Sequence, residues 1–358
     1  MVFRNSLSAG SGVDNMTKTI LITGGAGFIG SNFVRHIFEN HPSYNIIVLD
    51  ALTYAGDIDN IPEKIRNDAR FEFWYGNVRS GELVNELVSK SDVVIHFAAE
   101  SHVARSIFDN TTFFETDVLG TQVVANAVLK HQSSVERFIH VSTSEVYGTA
   151  LEIPMTEEHP LNPTTPYASA KAGADRLVYS YWVTYEIPAI IIRPFNTYGP
   201  NQHLEKVIPR FITSALLDES LTIHGSGEHT RDWTYVEDLC QALDMVMHIS
   251  LDKVRGQVIN IGTGRDVAIK AIADMILDKL NKPRSLITHI GERPGQVRRH
   301  VASIEKARQI LGWKAETEFD EGITKTIGWY QQNPGWWQKL LWMRHVPIKT
   351  RDGRVEYH

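Results

Sequence analysis

The sequence predicts an α/β protein: a doubly wound parallel sheet followed by a smaller C-terminal α/β domain. Three observations predict it. Short, continuously apolar runs alternate with amphipathic stretches through the first half of the chain. A glycine-rich turn joins the first apolar run to the first amphipathic stretch. After about residue 199 the rhythm changes, loops lengthen, and Pro, Gly and Trp become more frequent.

The apolar runs are Thr19–Thr23, Asn45–Asp50, Asp92–Ala99, Arg137–Thr143 and Pro188–Pro194. They are apolar throughout rather than alternating, as strands covered on both faces must be. Between them Phe33, Val34, Ile37 and Phe38 recur at helical spacing, as do Leu83, Val84, Leu87 and Val88. Strand–helix–strand repeated this way builds a parallel sheet with right-handed crossovers. Further on, Pro209–Leu217 and Ile269–Leu280 read as helices and Gln257–Ile261 as a strand. The expected organisation is a flexible extension over 1–16, a nucleotide-binding domain over 17–198 with elements returning from about 228–265, a second domain mainly over 199–345, and a tail over 346–358. The tryptophan-rich segment at 333–345 reads as packed onto the body.

With 358 residues, 42% hydrophobic and 22% charged, the chain is long enough for a large core and is not of a disordered composition. A net charge of -6 argues against a nucleic-acid binder, although a few local arginines can hold a diphosphate inside an acidic protein. The lone cysteine, Cys240, excludes an internal disulfide and a cysteine-rich metal site. It fits a reducing, cytoplasmic setting and reads as a core residue. No run of about 18 apolar residues exists, so no membrane span is expected. The 15 histidines show no HExxH or paired spacing, so packing or surface roles are expected and no metal site is assigned. His96 reads as a buried, hydrogen-bonded residue, and Glu157-Glu158 as a solvated loop.

Gly24, Gly27 and Gly30 fall between the first strand and the first helix. Glycine there permits a tight turn and close approach of the backbone to a pyrophosphate, which the helix N-terminus attracts. Asp50 ends the second strand, and its carboxylate can accept hydrogen bonds from ribose hydroxyls while repelling a 2′-phosphate. The cofactor expected is therefore NAD, on a Rossmann-type sheet, rather than NADP.

Tyr167 and Lys171 lie four residues apart on what reads as a long helix, so both face one way. A nearby cation lowers a phenol's pKa and would ready Tyr167 as a base. Ser142-Thr143-Ser144-Glu145 follows the strand that begins at Arg137, where polar side chains meet ligands in such sheets. Thr143 can hydrogen-bond a sugar hydroxyl and Glu145 can accept a proton.

These segments resemble the extended short-chain dehydrogenase/reductase family, and within it the nucleotide-sugar 4,6-dehydratase branch, above all the dTDP-glucose enzymes. The likeness runs from about Lys18 to about Trp329. It rests on TGGAGFIGSNF at 23–33, LDALTYAGD at 49–57, HFAAESHVARSI at 96–107, STSEVYG at 142–148, PYASAKAGAD at 166–175, NTYGPNQHLEKVIPRFI at 196–212, RDWTYVEDL at 231–239 and ERPGQVRRH at 292–300. The resemblance implies that Tyr167 takes the C4 hydroxyl proton as hydride passes to NAD, that Lys171 tunes Tyr167 and holds the nicotinamide ribose, and that Thr143 binds the C4 oxygen. Glu145 would then remove the C5 proton, with water lost from C6 and hydride returned there. It also implies a cofactor shell of Gly24, Gly27, Phe28, Ile29, Gly30, Asp50, Leu52, Thr53, Asn77, Val78, Ala98 and Ala99. A substrate shell of Ser101, His102, Asn196, Glu205, Lys206, Val207 and Asn260 follows, with Arg231, Arg299 and Arg293 as phosphate clamps. A homodimer is implied, built on a four-helix interface from the helices around 112–129 and 167–185, with Val118, Val123, Val128, Leu177 and Tyr181 as its apolar surface.

The chain departs from the dTDP-glucose pattern at four places. Ser144 stands where an aspartate usually supplies the acid for water loss. Ala104 replaces a common aspartate, Asp117 a common asparagine, and Asn77 an aspartate usually near the adenine. GDP-mannose dehydratases and UDP-glucuronate decarboxylases share the Ser-Glu pair. The rival readings are therefore a decarboxylase, a 4-epimerase, a 4,6-dehydratase of another nucleotide sugar, or a silent NAD-binding regulator. A carboxylate at 145 favours dehydration over epimerisation, because epimerisation needs no base at C5.

Overall fold

The computed structural model describes residues 17–292, 295–344, 347–349 and 352–357. The expected N-terminal extension and Arg293 lie outside the described residues. Seven parallel strands form the main sheet: β1 (Thr19–Thr23), β2 (Asn45–Asp50), β3 (Phe71–Tyr75), β4 (Val93–His96), β5 (Arg137–Val141), β6 (Ala189–Pro194) and, from the second half of the chain, Val258–Ile261. Their order is β3, β2, β1, β4, β5, β6 and then Val258–Ile261. The order reverses between β1 and β4, and that switch point is where such sheets open a crevice beyond the strand C-termini.

Because side chains alternate across a strand, the two faces of the sheet carry two separate cores. Ile20 and Ile22 pack with Phe33, Ile37, Leu239 and Leu243 under the helices Phe28–Asn40 and Val236–His248. Leu21, Ile47 and Leu49 pack with Val84, Val124 and Val178 under the helices Gly81–Ser89, Thr121–Lys130 and Pro166–Tyr185. Val128 is fully buried in this second core. The expectation that it lies on an outer helix face is corrected, because its position turns it toward the sheet.

β3 was not expected. It is an edge strand, so its aromatic FEFWY run is covered on one side only, with Phe71 buried and Tyr75 largely exposed. The expected helix across 112–129 is real but interrupted, with a wide π turn over Phe114–Gly120 feeding the helix Thr121–Lys130. That turn directs the buried Asp117 inward, and Asp117 Oδ1 accepts the Glu100 N–H at 2.8 Å.

Beyond β6 the chain builds smaller layers. β7 (Asn196–Tyr198), β9 (Thr230–Tyr235) and β11 (Asp266–Ala268) form one sheet, and β8 (Leu221–His224) pairs with β12 (Ile287–Ile290); Val258–Ile261 is β10. A third core, holding Leu204, Phe211, Trp233, Ile276 and Tyr330, lies among these strands and the helices Val207–Leu216, Ile269–Lys279 and Phe319–Gln332. The tryptophan-rich segment closes it. Trp337 is buried and donates to the Tyr330 carbonyl, and Trp336 Nε1 reaches Asn60 Oδ1 at 2.8 Å. β13 (Pro347–Lys349) and β14 (Val355–Tyr357) form a short antiparallel pair.

Glu157 corrects the solvated-loop reading. Its Oε1 accepts the Asn260 backbone N–H at 2.8 Å, which draws it into the body, while Glu158 stays exposed. His96 is buried between Thr23 Oγ1 (2.6 Å) and Thr121 Oγ1 (3.0 Å), and Cys240 is in the core. No helix among the described residues is long and apolar enough to cross a membrane.

Candidate active site

A single cavity of about 460 Å³ runs from the glycine turn, past the ends of β1, β4 and β5, to the face of the helix Val207–Leu216. Its first half is backbone-lined. Gly24 has φ +71, and a Cβ there would stand 2.6 Å from Ala98 N. A Cβ on Gly30 would stand 2.2 Å from the Gly24 carbonyl oxygen. Only hydrogen fits at either place, so the turn is held tightly against the neighbouring strand, with the helix N-terminus facing the cavity. Asp50 lines the same space, and its two oxygens accept the Ala26 N–H (2.9 Å) and the Leu52 N–H (2.8 Å). Burial raises its pKa, and the backbone donors work against that. Phe28, Ile29, Thr53, Asn77, Val78, Ala98 and Ala99 complete the wall. Leu52 does not line it; at φ 48 it serves the Asp50 turn through its backbone. A glycine turn that admits no Cβ at Gly24 or Gly30, beside a carboxylate with ribose-binding chemistry, fits NAD.

The second half is polar. Thr143 caps a short 3-10 turn, its Oγ1 accepting the Glu145 N–H at 3.2 Å, and its hydroxyl also hydrogen-bonds Tyr167. Tyr167 and Lys171 both face the cavity from the helix Pro166–Tyr185. That helix starts where it does because Thr165 accepts the Ala168 N–H and Pro166 occupies the first turn. The expectation that Lys171 lowers the Tyr167 phenol is corrected for this state. Burial raises that pKa, and the carboxylates of Asp117 and Glu145 raise it further. Lys171 Nζ instead donates to the Val141 carbonyl at 2.9 Å. Burial lowers Lys171 and raises Asp117, each opposed by the other's charge.

Ser144 is buried, with Oγ 3.4 Å from His300 Nδ1, while His300 Nε2 lies 2.5 Å from the Gly148 carbonyl. A carbonyl accepts only, so Nε2 carries the ring proton and Nδ1 accepts from Ser144. Burial holds His300 neutral. The Ser144 proton is thus directed to a base, not to a leaving group. This arrangement does not reproduce an aspartic acid at 144, and His300 was not singled out from the sequence.

The far wall carries the LEKVIP segment. Glu205 is buried and accepts the Tyr54 hydroxyl at 3.1 Å, with Lys206 Nζ 3.2 Å away. Burial alone would push Glu205 up, but Lys206, His102 and His203 outweigh it and hold it down to about 2. His102 caps the helix Val103–Phe108, with Nε2 3.6 Å from Glu205 Oε2, and burial lowers it to about 4. Lys206 Nζ also donates to the Ser101 carbonyl at 2.8 Å. The buried Asn196 Oδ1 has no partner among the described residues and faces the cavity. Val207 and Arg231 line it too.

Two expected residues fall elsewhere. Asn260 is fully buried outside the cavity, because Asn260 Oδ1 accepts the Tyr147 hydroxyl at 2.7 Å and its amide donates to the Met155 carbonyl. Arg299 is half exposed and paired with Asp266 at 2.7 Å, also outside the cavity wall. Arg210 was missed. It lines the cavity one turn beyond Lys206, and burial together with Arg344 lowers it to about 10. Its only sequence signal was helical spacing from Lys206.

Fold and cavity together define a Rossmann-type, dinucleotide-dependent oxidoreductase scaffold with a second ligand chamber. The family model for GDP-mannose 4,6 dehydratase matches residues 21–326. The chain belongs to this family, the nucleotide-sugar dehydratase branch of the extended short-chain dehydrogenases/reductases. It is 41% identical over 311 residues to the low-salt glycan biosynthesis protein Agl12 of Haloferax volcanii, covering 87% of this chain and 98% of that one. It is 38% identical over 326 residues to a dTDP-glucose 4,6-dehydratase of Streptomyces antibioticus, covering 90% and 95%. The crystal structure of DesIV, a dTDP-glucose 4,6-dehydratase from Streptomyces venezuelae with NAD and a dTDP ligand bound, superposes with a TM-score of 0.86 at 37% identity, covering 90% of this chain and 99% of that one.

Proposed function

We propose that this protein is an NAD-dependent nucleotide-sugar 4,6-dehydratase acting on dTDP-glucose. One observation carries the reading: Glu145, a carboxylate able to work at C5, shares a cavity with Thr143, Tyr167 and Lys171, the set suited to C4, and with the glycine turn. When bound, NAD accepts hydride from C4 and gives it back at C6. Around it, Thr143 holds the C4 oxygen and Tyr167 takes the hydroxyl proton. Lys171, at the same wall, supports the phenolate that forms. The C4 ketone makes the C5 hydrogen acidic. Glu145 removes it and passes that proton to the C6 hydroxyl, which leaves as water as the C5–C6 double bond forms. When hydride returns to C6, the carbon at C5 regains a proton, balancing the one Tyr167 took from the C4 hydroxyl. Asp50 fixes the adenosine ribose. Lys206, Arg210 and Arg231, three cations on the far side beside the Glu205 carboxylate, supply the positive charge a diphosphate needs. Asn196, Glu205 and His102 offer acceptors and donors to the sugar hydroxyls. The dTDP-glucose assignment is supported by the relatives that carry that name.

A panel of dTDP-glucose, UDP-glucose, GDP-mannose, UDP-N-acetylglucosamine and UDP-glucuronate, followed by mass spectrometry, tests this. The expected result is loss of one water from dTDP-glucose, slowed at least about 100-fold by Glu145→Gln, the usual scale for removing a general base. Loss of carbon dioxide from UDP-glucuronate, or an isomer of unchanged mass, sinks the reading.

The quaternary state belongs to the same proposal. Leu119 on the π turn and Tyr179, Val183 and Tyr185 on the helix Pro166–Tyr185 are exposed apolar side chains on adjoining elements. Pairing this face with its copy gives a four-helix homodimer. Sedimentation should show a dimer, with Val183→Glu shifting it to monomer; a wild-type monomer at micromolar concentration ends the idea.

A further inference from the structure

On the sheet face opposite the catalytic helix, two helix C-termini converge. The helix Phe28–Asn40 carries His36 and is capped by His41; the helix Val236–His248 carries Asp244 and His248. All three imidazoles meet one carboxylate. His36 Nε2 lies 2.8 Å from Asp244 Oδ2, His41 Nε2 2.9 Å from Asp244 Oδ1, and His248 Nδ1 2.7 Å from Asp244 Oδ1. Among the described residues this is the group of histidine and carboxylate atoms close enough to share one ion: the ligand atoms of His41, Asp244 and His248 all lie within 4.8 Å of one another. It is remote from the cavity, and the dehydratase chemistry makes no use of it.

We propose that His41, Asp244 and His248 form a binding site for one divalent transition-metal ion of the zinc class, with His36 orienting the carboxylate through its other oxygen. Two imidazoles and a carboxylate are a nitrogen–oxygen set suited to such ions and poorly suited to calcium or magnesium. Bonds of about 2.0–2.2 Å in a tetrahedron place ligand atoms about 3.3 Å apart. The His–Asp separations of 2.7–2.9 Å would open by about half an ångström, and the nitrogen atoms of His41 and His248, which lie within 4.8 Å of each other, would settle to that spacing. The rings are also held in place. His41 stacks on His248 at 4.6 Å and on Tyr44 at 4.8 Å between centroids. The Tyr44 hydroxyl lies 2.9 Å from His248 Nε2 and steadies the ring from outside, while Nδ1 donates to the Asp244 backbone carbonyl at 2.9 Å, a proton that a bound ion would displace. All four side chains are partly exposed, which gives an ion access. The nearby Lys18 ammonium is paired with Glu136, which limits its repulsion. An ion here would pin the end of the glycine-turn helix to the helix Val236–His248.

The test uses the full chain, free of any affinity tag and stripped with a chelator. Calorimetric titration with Zn²⁺ should show one equivalent bound, and Co²⁺ should give the visible absorption of a tetrahedral nitrogen–oxygen site. His41→Ala with His248→Ala should weaken Zn²⁺ binding at least tenfold, whereas His131→Gln, on another helix end, should leave it unchanged. Crystals soaked in Zn²⁺ need no variant and keep the question open to refutation if the double variant misfolds. An anomalous peak between Asp244 and His41 is expected. No stoichiometric binding, binding that survives the double variant, or an anomalous peak only elsewhere overturns the proposal and leaves a hydrogen-bonded cluster. Dehydratase turnover is not the readout, so failure here and failure of the proposed activity are separable.

Discussion

At the scale of single residues, Asp117 is the departure with the clearest consequence. It is buried, its Oδ2 has no partner among the described residues, and its charge raises both the Tyr167 phenol and Lys171. Replacing it with asparagine keeps an acceptor for the Glu100 N–H and removes the charge. The Tyr167 pKa should then fall, because an anion no longer opposes formation of the phenolate. The low-pH limb of the turnover–pH profile, which reports this base, should move to lower pH in Asp117→Asn, by about one unit for a buried neighbouring charge. A profile that does not move, or moves upward, shows that Asp117 does not act on Tyr167. Legibility at this scale was uneven. Thr143, Glu145, Tyr167 and Lys171 could be read because their spacing on one strand end and one helix carries the chemistry. His300 could not, since it reaches its place by a tertiary path that no local pattern records, and Arg210 offered only its helical spacing from Lys206.

At the scale of elements, the helix Pro166–Tyr185 must hold Tyr167 and Lys171 in register with the end of β5. A buried ion pair does this. Arg193 on β6 binds both oxygens of Asp175 at 2.9 Å, and its remaining nitrogen donates to the Tyr147 hydroxyl, which in turn donates to Asn260. The bidentate guanidinium keeps Asp175 far below the usual carboxylate range despite its burial. Removing one partner strands the other's charge in the interior. Arg193→Leu should therefore cost about 3–5 kcal/mol in denaturant unfolding, and Asp175→Asn should be similarly damaging. A loss under about 1 kcal/mol would mean that water reaches the pair. Asn260 was expected at the substrate and is found in this network. A sequence identifies a polar residue at a strand end, but not which side of the strand end it serves. Strand β3 carries Glu72 within its short aromatic run and is only partly covered, so it lacks the continuous aliphatic signature that made β1, β2, β4, β5 and β6 readable.

At the scale of the whole molecule, burial of neutral histidines contributes to the acid sensitivity of stability. Burial lowers His96 to about 3 and His102 to about 4, from an ordinary 6.5. Both folded-state values are depressed, so between those values and 6.5 the unfolded chain binds more protons. Stability from this source is complete above pH 6.5 and is lost as the pH falls toward 4. For His96, fully buried between two threonines, the loss from pH 6.5 to 5 should be about 1.5 kcal/mol. His96→Gln can still hydrogen-bond and does not titrate, so its unfolding free energy should fall less steeply over that range. Equal slopes for variant and wild type would place the acid sensitivity elsewhere.

The sequence by itself determined the parallel sheet, the glycine turn, the aspartate that ends β2 and the grouping of Thr143, Glu145, Tyr167 and Lys171. Each depends on periodicity or on residues close along the chain, and backbone sterics make such patterns local. Only the tertiary structure decided which cations line the cavity, that Arg299 turns to Asp266 instead, that Ser144 faces His300, and that three histidines from two helix ends gather around Asp244. Those outcomes depend on where distant segments meet. That is set by filling the three cores without voids, a constraint shared by the whole chain and written in no single stretch of it.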